Sequence, residues 1–217
     1  WVGGSDGANT NDTANWASAD PASCTGGGAS VPGTSDVAIF DNDCDNGATV
    51  DASLSVLGMT INSGYAGTVT QSSTVTIGSS AFSMAGGTWT AGAVTFDDND
   101  AFTLSGGTFT APNSSGAFTV AKSFTTSGSP TFNSNGGTLT LDGSLQGSFS
   151  LNASGITFTK VIINRPANSG ANGFTIASGT TVPLGDSPTT TYGDSAAAGF
   201  VNNGTITVGT GTWTMTF

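Results

Sequence analysis

The chain has 217 residues, a formal net charge of −11 and no histidine, and only 8% of its residues are charged, against about 25% in ordinary globular domains. Its acidic residues are all Asp, and its basic residues are Lys122, Lys160 and Arg165. This composition excludes histidine-based catalysis, His-ligated zinc and haem with a proximal histidine, and it is unsuited to binding nucleic acid. Glu is absent while Thr, Val and Phe are frequent, which indicates an all-β protein. The sequence contains no apolar run long enough to span a membrane as a helix.

The N-terminal segment, residues 1–36, is rich in Gly and Pro, and Trp1 and Trp16 are its large apolar anchors. Clusters of this kind are typical of loops rather than of regular elements. We therefore expect an irregular N-terminal cap or joining segment over residues 1–36, followed by one β-repeat unit over residues 37–217.

Two cysteines, Cys24 within this segment and Cys44 after it, lie 20 residues apart near the N-terminus. In an acidic chain that is poor in Lys, we expect them to form a disulfide, and two buried free thiols are the alternative. The chain opens at Trp1 without Met, which suggests a processed mature protein. These features together predict an extracellular or cell-surface location.

Short strands with alternating apolar residues begin at Val37 and are separated by turn residues. An internal repeat is present, because residues 81–91 match residues 101–111 at an offset of 20 residues. A repeat of about 20 residues corresponds to one turn of a stacked solenoid. Each copy contains a strand, a Gly-Gly corner and a second strand, and glycine suits the corner because it accepts positive φ. We therefore predict an all-β β-solenoid, with a β-sandwich or jelly roll as the alternative. The residues expected to face its core are Phe82, Met84, Trp89, Phe102, Leu104 and Phe109.

The second half of the chain is less regular. We expect a strong strand over residues 156–163 and longer loops with brief strands over residues 164–199. The sequence then closes on alternating segments at residues 205–208 and 212–217.

The alternating segment 212–217 has no polar cap, and a sheet edge of this kind tends to pair with another strand. It either pairs inside its own sheet or is covered by a neighbouring subunit. In the second case, the residues expected to join subunits are Trp1, Val2, Trp213, Met215 and Phe217.

A succession of short motifs marks the N-terminal part: Trp1-Val2-Gly3-Gly4, Asn15-Trp16, Val31-Pro32-Gly33 and Asp36-Val37-Ala38-Ile39-Phe40. This succession resembles the W-x-G-G, N-W, P-G, D-x-x-x-F opening of large secreted bacterial surface proteins built from β-repeats, including autotransporter-passenger-like chains. The resemblance covers roughly residues 1–140. It implies a secreted β-repeat architecture with a structural or adhesive role and no particular activity. This chain is much shorter than those proteins, which favours a small unit that assembles.

A candidate metal site lies at Asp41, Asp43 and Asp45, which alternate along the chain ahead of Gly47. Alternating carboxylates resemble the start of a calcium-binding loop, since hard oxygen ligands could converge on one ion. The closing Glu of such a loop is missing, because Ala52 stands in its place. An Asx-rich turn between two strands is the alternative, and we expect no other cofactor.

A second acidic cluster comprises Asp97, Asp98 and Asp100. Paired carboxylates carry out glycoside hydrolysis, and solenoid polysaccharide hydrolases use such pairs. Those sites usually recruit Lys, Arg or His to hold acidic sugars, and these residues are nearly absent here. We therefore expect no enzymatic activity and interpret the cluster as a solvated turn, with a cation site as the alternative.

Two further features could bind external partners. A flat array of Thr side chains could order water in the manner of an ice-binding face, although bulky intervening residues and drifting spacing weigh against this. Exposed aromatic side chains could stack on a surface glycan, although core or cap packing is favoured for each. The Thr-x-Thr pairs include 68/70, 74/76, 108/110, 138/140, 157/159 and 205/207, and the aromatic candidates are Tyr65, Tyr192 and Trp16.

These observations favour an extracellular structural protein, a self-assembling subunit of a filament or surface layer joined by strand addition or end-to-end stacking. Its expected partners are copies of itself, rather than nucleic acid or a membrane. The alternative is an adhesin or carbohydrate-binding module of a larger surface protein, with a surface glycan as ligand. The first hypothesis predicts polymers, whereas the second predicts a stable monomer with affinity for a glycan.

Overall fold

A computed structural model describes residues 1–3, 9–20, 23–25, 27–143, 147–168, 174–183, 189–194, 200–202, 204–207 and 214–216. Its regular structure consists of short strands and one 3-10 helix, η1, Thr13–Asn15. The strands of the first half are β1 Val37–Phe40, β2 Ala48–Val50, β3 Leu54–Val56, β4 Gly58–Ile61, β5 Thr68–Gln71, β6 Val75–Ile77, β7 Phe82–Met84, β8 Thr88–Ala91, β9 Thr95–Asp98, β10 Phe102–Leu104 and β11 Thr108–Thr110. Those of the second half are β12 Ala117–Val120, β13 Phe124–Thr126, β14 Thr131–Asn133, β15 Thr138–Leu141, β16 Phe149–Asn152, β17 Lys160–Asn168, β18 Phe174–Ile176, β19 Thr181–Pro183, β20 Thr189–Asp194, β21 Phe200–Asn202, β22 Thr205–Thr207 and β23 Thr214–Thr216.

Successive strands enter three sheets in turn, so the chain winds into a β-solenoid of about seven turns. The first sheet has the order β1-β4-β7-β10-β13-β16-β18-β21, the second β2-β5-β8-β11-β14, and the third β3-β6-β9-β12-β15-β17-β20-β23, while β19 and β22 form a separate pair. Neighbouring strands in each sheet are parallel. The predicted β-solenoid is therefore confirmed. A β-sandwich is built from antiparallel sheets and does not describe this chain.

The core is a column of like residues stacked from one turn to the next. Phe82, Phe102 and Phe124 share one register position of the first sheet, and their rings are stacked with centroids 4.9 and 4.7 Å apart. Trp89 and Phe109 occupy an equivalent position in the second sheet. All six residues predicted to face the core have no exposed surface, because alternation in each strand turns every second side chain inward.

Glycine forms the corner between the first and second sheets in the central turns. Gly87 and Gly107 have φ of +63° and +71°, a region that side chains rarely enter. A Cβ on Gly107 would lie 2.4 Å from the carbonyl oxygen of Gly86 in the turn below. The Gly-Gly corner of the repeat is thus needed both for its backbone conformation and for the close stacking of turns.

The structure departs from the sequence-based expectations in the second half. The strand expected over residues 156–163 begins only at Lys160, since Ser154 and Gly155 form a turn and residues 156–159 are irregular. Residues 164–199, expected as longer loops with brief strands, contain the end of β17 together with the short strands β18, β19 and β20. Proline did not prevent this, since Pro183 lies at the end of a short strand, a position that tolerates its missing N–H.

The described part of residues 1–36 packs over the first turn of the coil. Thr10 donates its N–H to the carbonyl oxygen of Thr49 at 2.8 Å, and Asn9 forms a parallel bridge with Thr49. Asp12 caps η1 by accepting the N–H of Ala14 at 2.8 Å. Regular strands then begin at Val37.

Candidate functional surfaces

An aromatic cluster joins residues 1–36 to the coil. Trp1 packs edge-to-face on Trp16 with ring centroids 5.1 Å apart, and it also contacts Phe40 of β1 at 5.6 Å. Both indoles are buried, and their N–H groups donate to the carbonyl oxygens of Asn46 and Thr10. Satisfied polar groups and large buried rings make this a fixed contact between the cap and the first turn.

A cavity of about 480 Å³ opens beside this cluster. Its walls combine apolar side chains with carboxylates, and they include one side of β1. Val37 and Ile39 of that strand are 41% and 44% exposed, the two large exposed apolar residues of the described chain. Residues lining the cavity include Trp1, Trp16, Asp20, Val37, Ile39 and Asp41.

The backbone of β1 turns one edge toward this cavity. The carbonyl oxygens of Asp36 and Phe40 accept N–H groups from the β4 side at 2.8 Å. Alternate residues of a parallel strand direct their backbone groups to opposite neighbours, so Val37 and Ile39 direct theirs away from β4. On that side the main-chain nitrogen of Trp1 donates to the carbonyl oxygen of Ile39 at 2.7 Å. Within the described chain, β1 pairs with no strand other than β4, so on its other edge the described backbone contact is that of Trp1 with the Ile39 carbonyl.

Two of the three predicted calcium ligands lie close together in the structure, and the third does not. Asp41 and Asp43 lie together with Asp20, and one carboxylate oxygen of each is within 4.8 Å of the others. Asp45 is not in this group, because its carboxylate accepts the N–H of Ala66 at 2.6 Å. Sequence reasoning missed Asp20, which comes from a distant loop with no motif of its own. The pKa of Asp43 is raised, chiefly by desolvation. A hydrogen bond with Asp20 and repulsion from the carboxylates of Asp20 and Asp41 add to this. Calcium binding here stays a prediction.

Cys24 and Cys44 form the disulfide expected from the sequence. Cys44 is 1% exposed and lies under Val2, whereas Cys24 is on the surface of the cap. The bond ties a loop of the cap to the segment between β1 and β2. It therefore holds the cap, the acidic group and the cavity wall in one arrangement.

Replacing both Cys24 and Cys44 by Ser is expected to lower the free energy of unfolding by about 3 kcal/mol, the loop-entropy value for a closed loop of this length. Denaturant titration followed by tryptophan fluorescence measures the loss, because Trp1 and Trp16 are buried where the cap meets Phe40 of the first turn. The oxidised and reduced forms of the unmutated protein supply the matched control and should differ by a similar amount. Equal stability of all forms would show that the disulfide does not hold the cap.

The second acidic cluster does not form a paired-carboxylate site. Asp97 points outward and accepts the hydroxyl of Thr119 at 2.6 Å, while Asp100 forms an ion pair with Lys122 at 2.6 Å. Asp98 points inward, is 1% exposed, and accepts the N–H of Asp100 through Oδ1. Its Oδ2 is buried, with no hydrogen-bond partner among the described residues. Burial raises the pKa of Asp98 to about 7, a shift that the hydrogen bond from Asp100 opposes.

Several residues predicted to join subunits or to stack on a glycan are buried in the structure. Trp1 and Val2 are 5% and 0% exposed, so their side chains lie inside the chain's own cap rather than at an exposed joint. Met215 lies in β23, which pairs with β20, whereas Trp213 and Phe217 are outside the described residues. Trp16 and Tyr65 are each 2% exposed and therefore offer no stacking platform; the side chain of Tyr192 is also outside the description.

Comparison with protein-family models, with curated proteins and with solved structures finds no match for this chain. The resemblance to surface β-repeat proteins therefore stays a prediction. Among the described residues, the helix η1 spans three residues, and no helix is long and apolar enough to cross a membrane.

Proposed function

We propose that this protein is an extracellular structural subunit that assembles with copies of itself, end to end, by adding strands to the sheets of the solenoid. The observation that carries the proposal is the edge of β1, which borders the cavity of the cap and pairs on one side in the described chain. An edge strand is a template for another strand, since its N–H and C=O groups can complete a ladder.

A second copy is the occupant that best fits this edge. The first sheet has β1 at one side and β21 at the other, and all its strands run in the same direction. Translating one copy along the coil axis therefore places β21 beside β1 of the next copy in the parallel sense. The third sheet can continue in the same way, since β3 and β23 stand at its two edges.

The disulfide supports an extracellular location, because such bonds persist in oxidising compartments. The parallel coil also suits a structural role. Each turn contacts only its neighbours, so the addition of a further copy repeats the contacts that already hold the coil together.

Assembly should depend strongly on salt. Copies of a chain with a net charge of −11 repel one another, and three carboxylates lie near the proposed joint. The screening length falls from about 30 Å in 0.01 M salt to about 8 Å in 0.15 M salt. We therefore expect polymers to form faster and at lower protein concentration as salt is raised.

The joint is tested by Ile39→Lys, which adds a charge to the open edge strand. Lys on an edge is a common natural block to strand addition, so the variant should stay monomeric in sedimentation velocity where the unmutated protein polymerises. Thr103→Lys is the matched control. It makes the same kind of change on the outer face of β10, a central strand of the same sheet, and it should polymerise normally.

Removing residues 212–217 takes away β23, the strand that would meet β3 of the next copy in the third sheet, and should also leave monomers. Polymers that persist in the Ile39→Lys variant would show that β1 is not the joint. A monodisperse unmutated protein at every protein and salt concentration would overturn the proposed function itself.

A further inference from the structure

The outer face of the second sheet carries two parallel ladders of Thr side chains. Thr68, Thr88, Thr108 and Thr131 occupy one register position of β5, β8, β11 and β14. Two residues further along the same strands, the second ladder runs Thr49, Thr70, Thr90, Thr110 and Asn133. Eight of these nine positions are Thr, and all are half-buried or exposed.

The residues between the Thr pairs do not interrupt this surface. Val69, Trp89 and Phe109 point into the core and have no exposed surface. These bulky intervening residues therefore do not stand between the Thr side chains on the outer face. The Thr pairs are unevenly spaced along the sequence, but the extra residues between β11 and β14 lie in the corners of the turn. The two strands therefore stay in register.

The ladders form a regular two-dimensional net of hydroxyl and methyl groups. Neighbouring strands lie about 4.8 Å apart, and alternate residues on one strand are about 6.6 Å apart. The β-branched side chain of Thr is stiff at χ1, and Thr70, Thr88, Thr90 and Thr108 each lie between two other Thr in register. The hydroxyls are therefore held on a fixed net, and ordering water on them costs little side-chain entropy.

The outer face of the second sheet is uncharged at the ladder positions, as an ice surface is. None of the nine ladder positions is charged in a chain whose net charge is −11. Each hydroxyl offers one donor and two acceptors, so it can take the place of a lattice water, which donates two hydrogen bonds and accepts two, with one donor fewer. On β8 and β11 the aromatic rings Trp89 and Phe109 are buried beneath the face, while Phe132 at the edge strand β14 is partly buried against the core.

The other sheets do not repeat this arrangement. The outward ladder of the third sheet contains Asp97 between Thr76 and Thr119. In the first sheet, the outward ladder has Ile39 and Ser83 in line with Thr60 and Thr103. A continuous uncharged Thr net is therefore a property of the second sheet among the described strands.

We propose that the outer face of the second sheet binds the surface of ice crystals. The hydroxyls replace water molecules at the crystal surface, and the methyl groups between them hold further water in an ordered cage. Because the crystal surface repeats in two dimensions, as the net does, several rungs can engage it at once. This activity uses different residues from the edge of β1 and does not depend on assembly.

Thermal hysteresis and uptake into a slowly growing ice shell test the proposal. The unmutated protein should shape ice crystals, depress their growth temperature and enter the ice. Thr90→Lys and Thr110→Lys each place a long charged side chain in the middle of the net and should abolish both effects. Thr103→Lys, on the first sheet, should keep them. Thermal unfolding followed by circular dichroism checks that each variant is folded.

The monomeric Ile39→Lys variant separates this proposal from the proposed function, since it should lose polymerisation and keep ice uptake. Absence of hysteresis and ice uptake in the folded unmutated protein overturns the proposal. Full activity in folded Thr90→Lys and Thr110→Lys variants also overturns it, because the face would then not be the binding surface. Retention on crystalline cellulose without ice uptake would identify a polysaccharide lattice as the partner and would likewise contradict it.

Discussion

Replacing Asp98 by Asn is expected to raise the free energy of unfolding at pH 8 by on the order of 3 kcal/mol and to change it little at pH 4. Asp98 ends β9 with its carboxylate buried in the coil, and burial raises its pKa to about 7. Its Oδ1 accepts the N–H of Asp100, which the amide oxygen of Asn can also accept.

The direction of the pH effect follows from the raised pKa. The folded protein holds the Asp98 proton more tightly than the unfolded chain does, whose carboxyl has the ordinary value of 3.8. The stabilisation is fully present below about pH 4 and is lost as the pH rises through about 7. Denaturant titrations at pH 4, 6 and 8 should therefore show falling stability in the unmutated protein and a weaker pH dependence in Asp98→Asn.

Asp97→Asn is the matched control, because it makes the same chemical change one residue away on the outward side of β9. It should keep the pH dependence of the unmutated protein. A change in stability on Asp98→Asn that is the same at pH 8 as at pH 4 would show that the buried carboxylate does not cause this dependence.

Replacing Trp89 by Ala is expected to lower the free energy of unfolding by about 3–5 kcal/mol. The indole is fully buried. It stacks on Phe109 with centroids 6.2 Å apart and meets Phe82 and Phe96 edge-to-face at 5.7 and 5.4 Å. Removing it leaves a cavity in the middle of the aromatic column, and the loss is a large fraction of the roughly 5–15 kcal/mol that holds a typical domain folded.

Trp89→Phe is the control for this loss. The indole N–H is buried, with no hydrogen-bond partner among the described residues, so a phenyl ring removes volume without breaking a hydrogen bond. We expect it to cost less than about 1.5 kcal/mol. Thermal or denaturant unfolding of the three proteins measures the difference, and equal stability of Trp89→Ala and Trp89→Phe would contradict the packing described here.

The sequence predicted the central turns well because two independent signals agree there. Alternation gives the inward face of each strand, and the 20-residue offset brings like residues such as Phe82 and Phe102 into register. Gly107 adds a corner that the backbone conformation requires. The Thr ladders were visible only as scattered pairs, since their register depends on how many residues each corner absorbs, and local sequence does not show this.

Positions set by distant segments could not be predicted in the same way. Asp20 approaches Asp41 only because the cap folds over the first turn. Trp1 and Val2 have the composition of a joining segment, yet aromatic packing on Phe40 places them inside the chain's own cap. After residue 164 the sequence predicted brief strands but not their bounds, because strands buried in a parallel stack can be short and need little alternation of their own.

Helical reconstruction from electron cryo-microscopy of the assembled protein tests end-to-end strand addition most directly. Eight strands stack in the first sheet, so at about 4.8 Å per strand we expect filaments with an axial rise of about 40 Å per subunit. The first sheet should cross each joint without interruption, with β21 of one subunit hydrogen-bonded to β1 of the next. Dispersed single particles, or filaments whose subunits meet through side faces while β1 stays uncovered, would contradict the account.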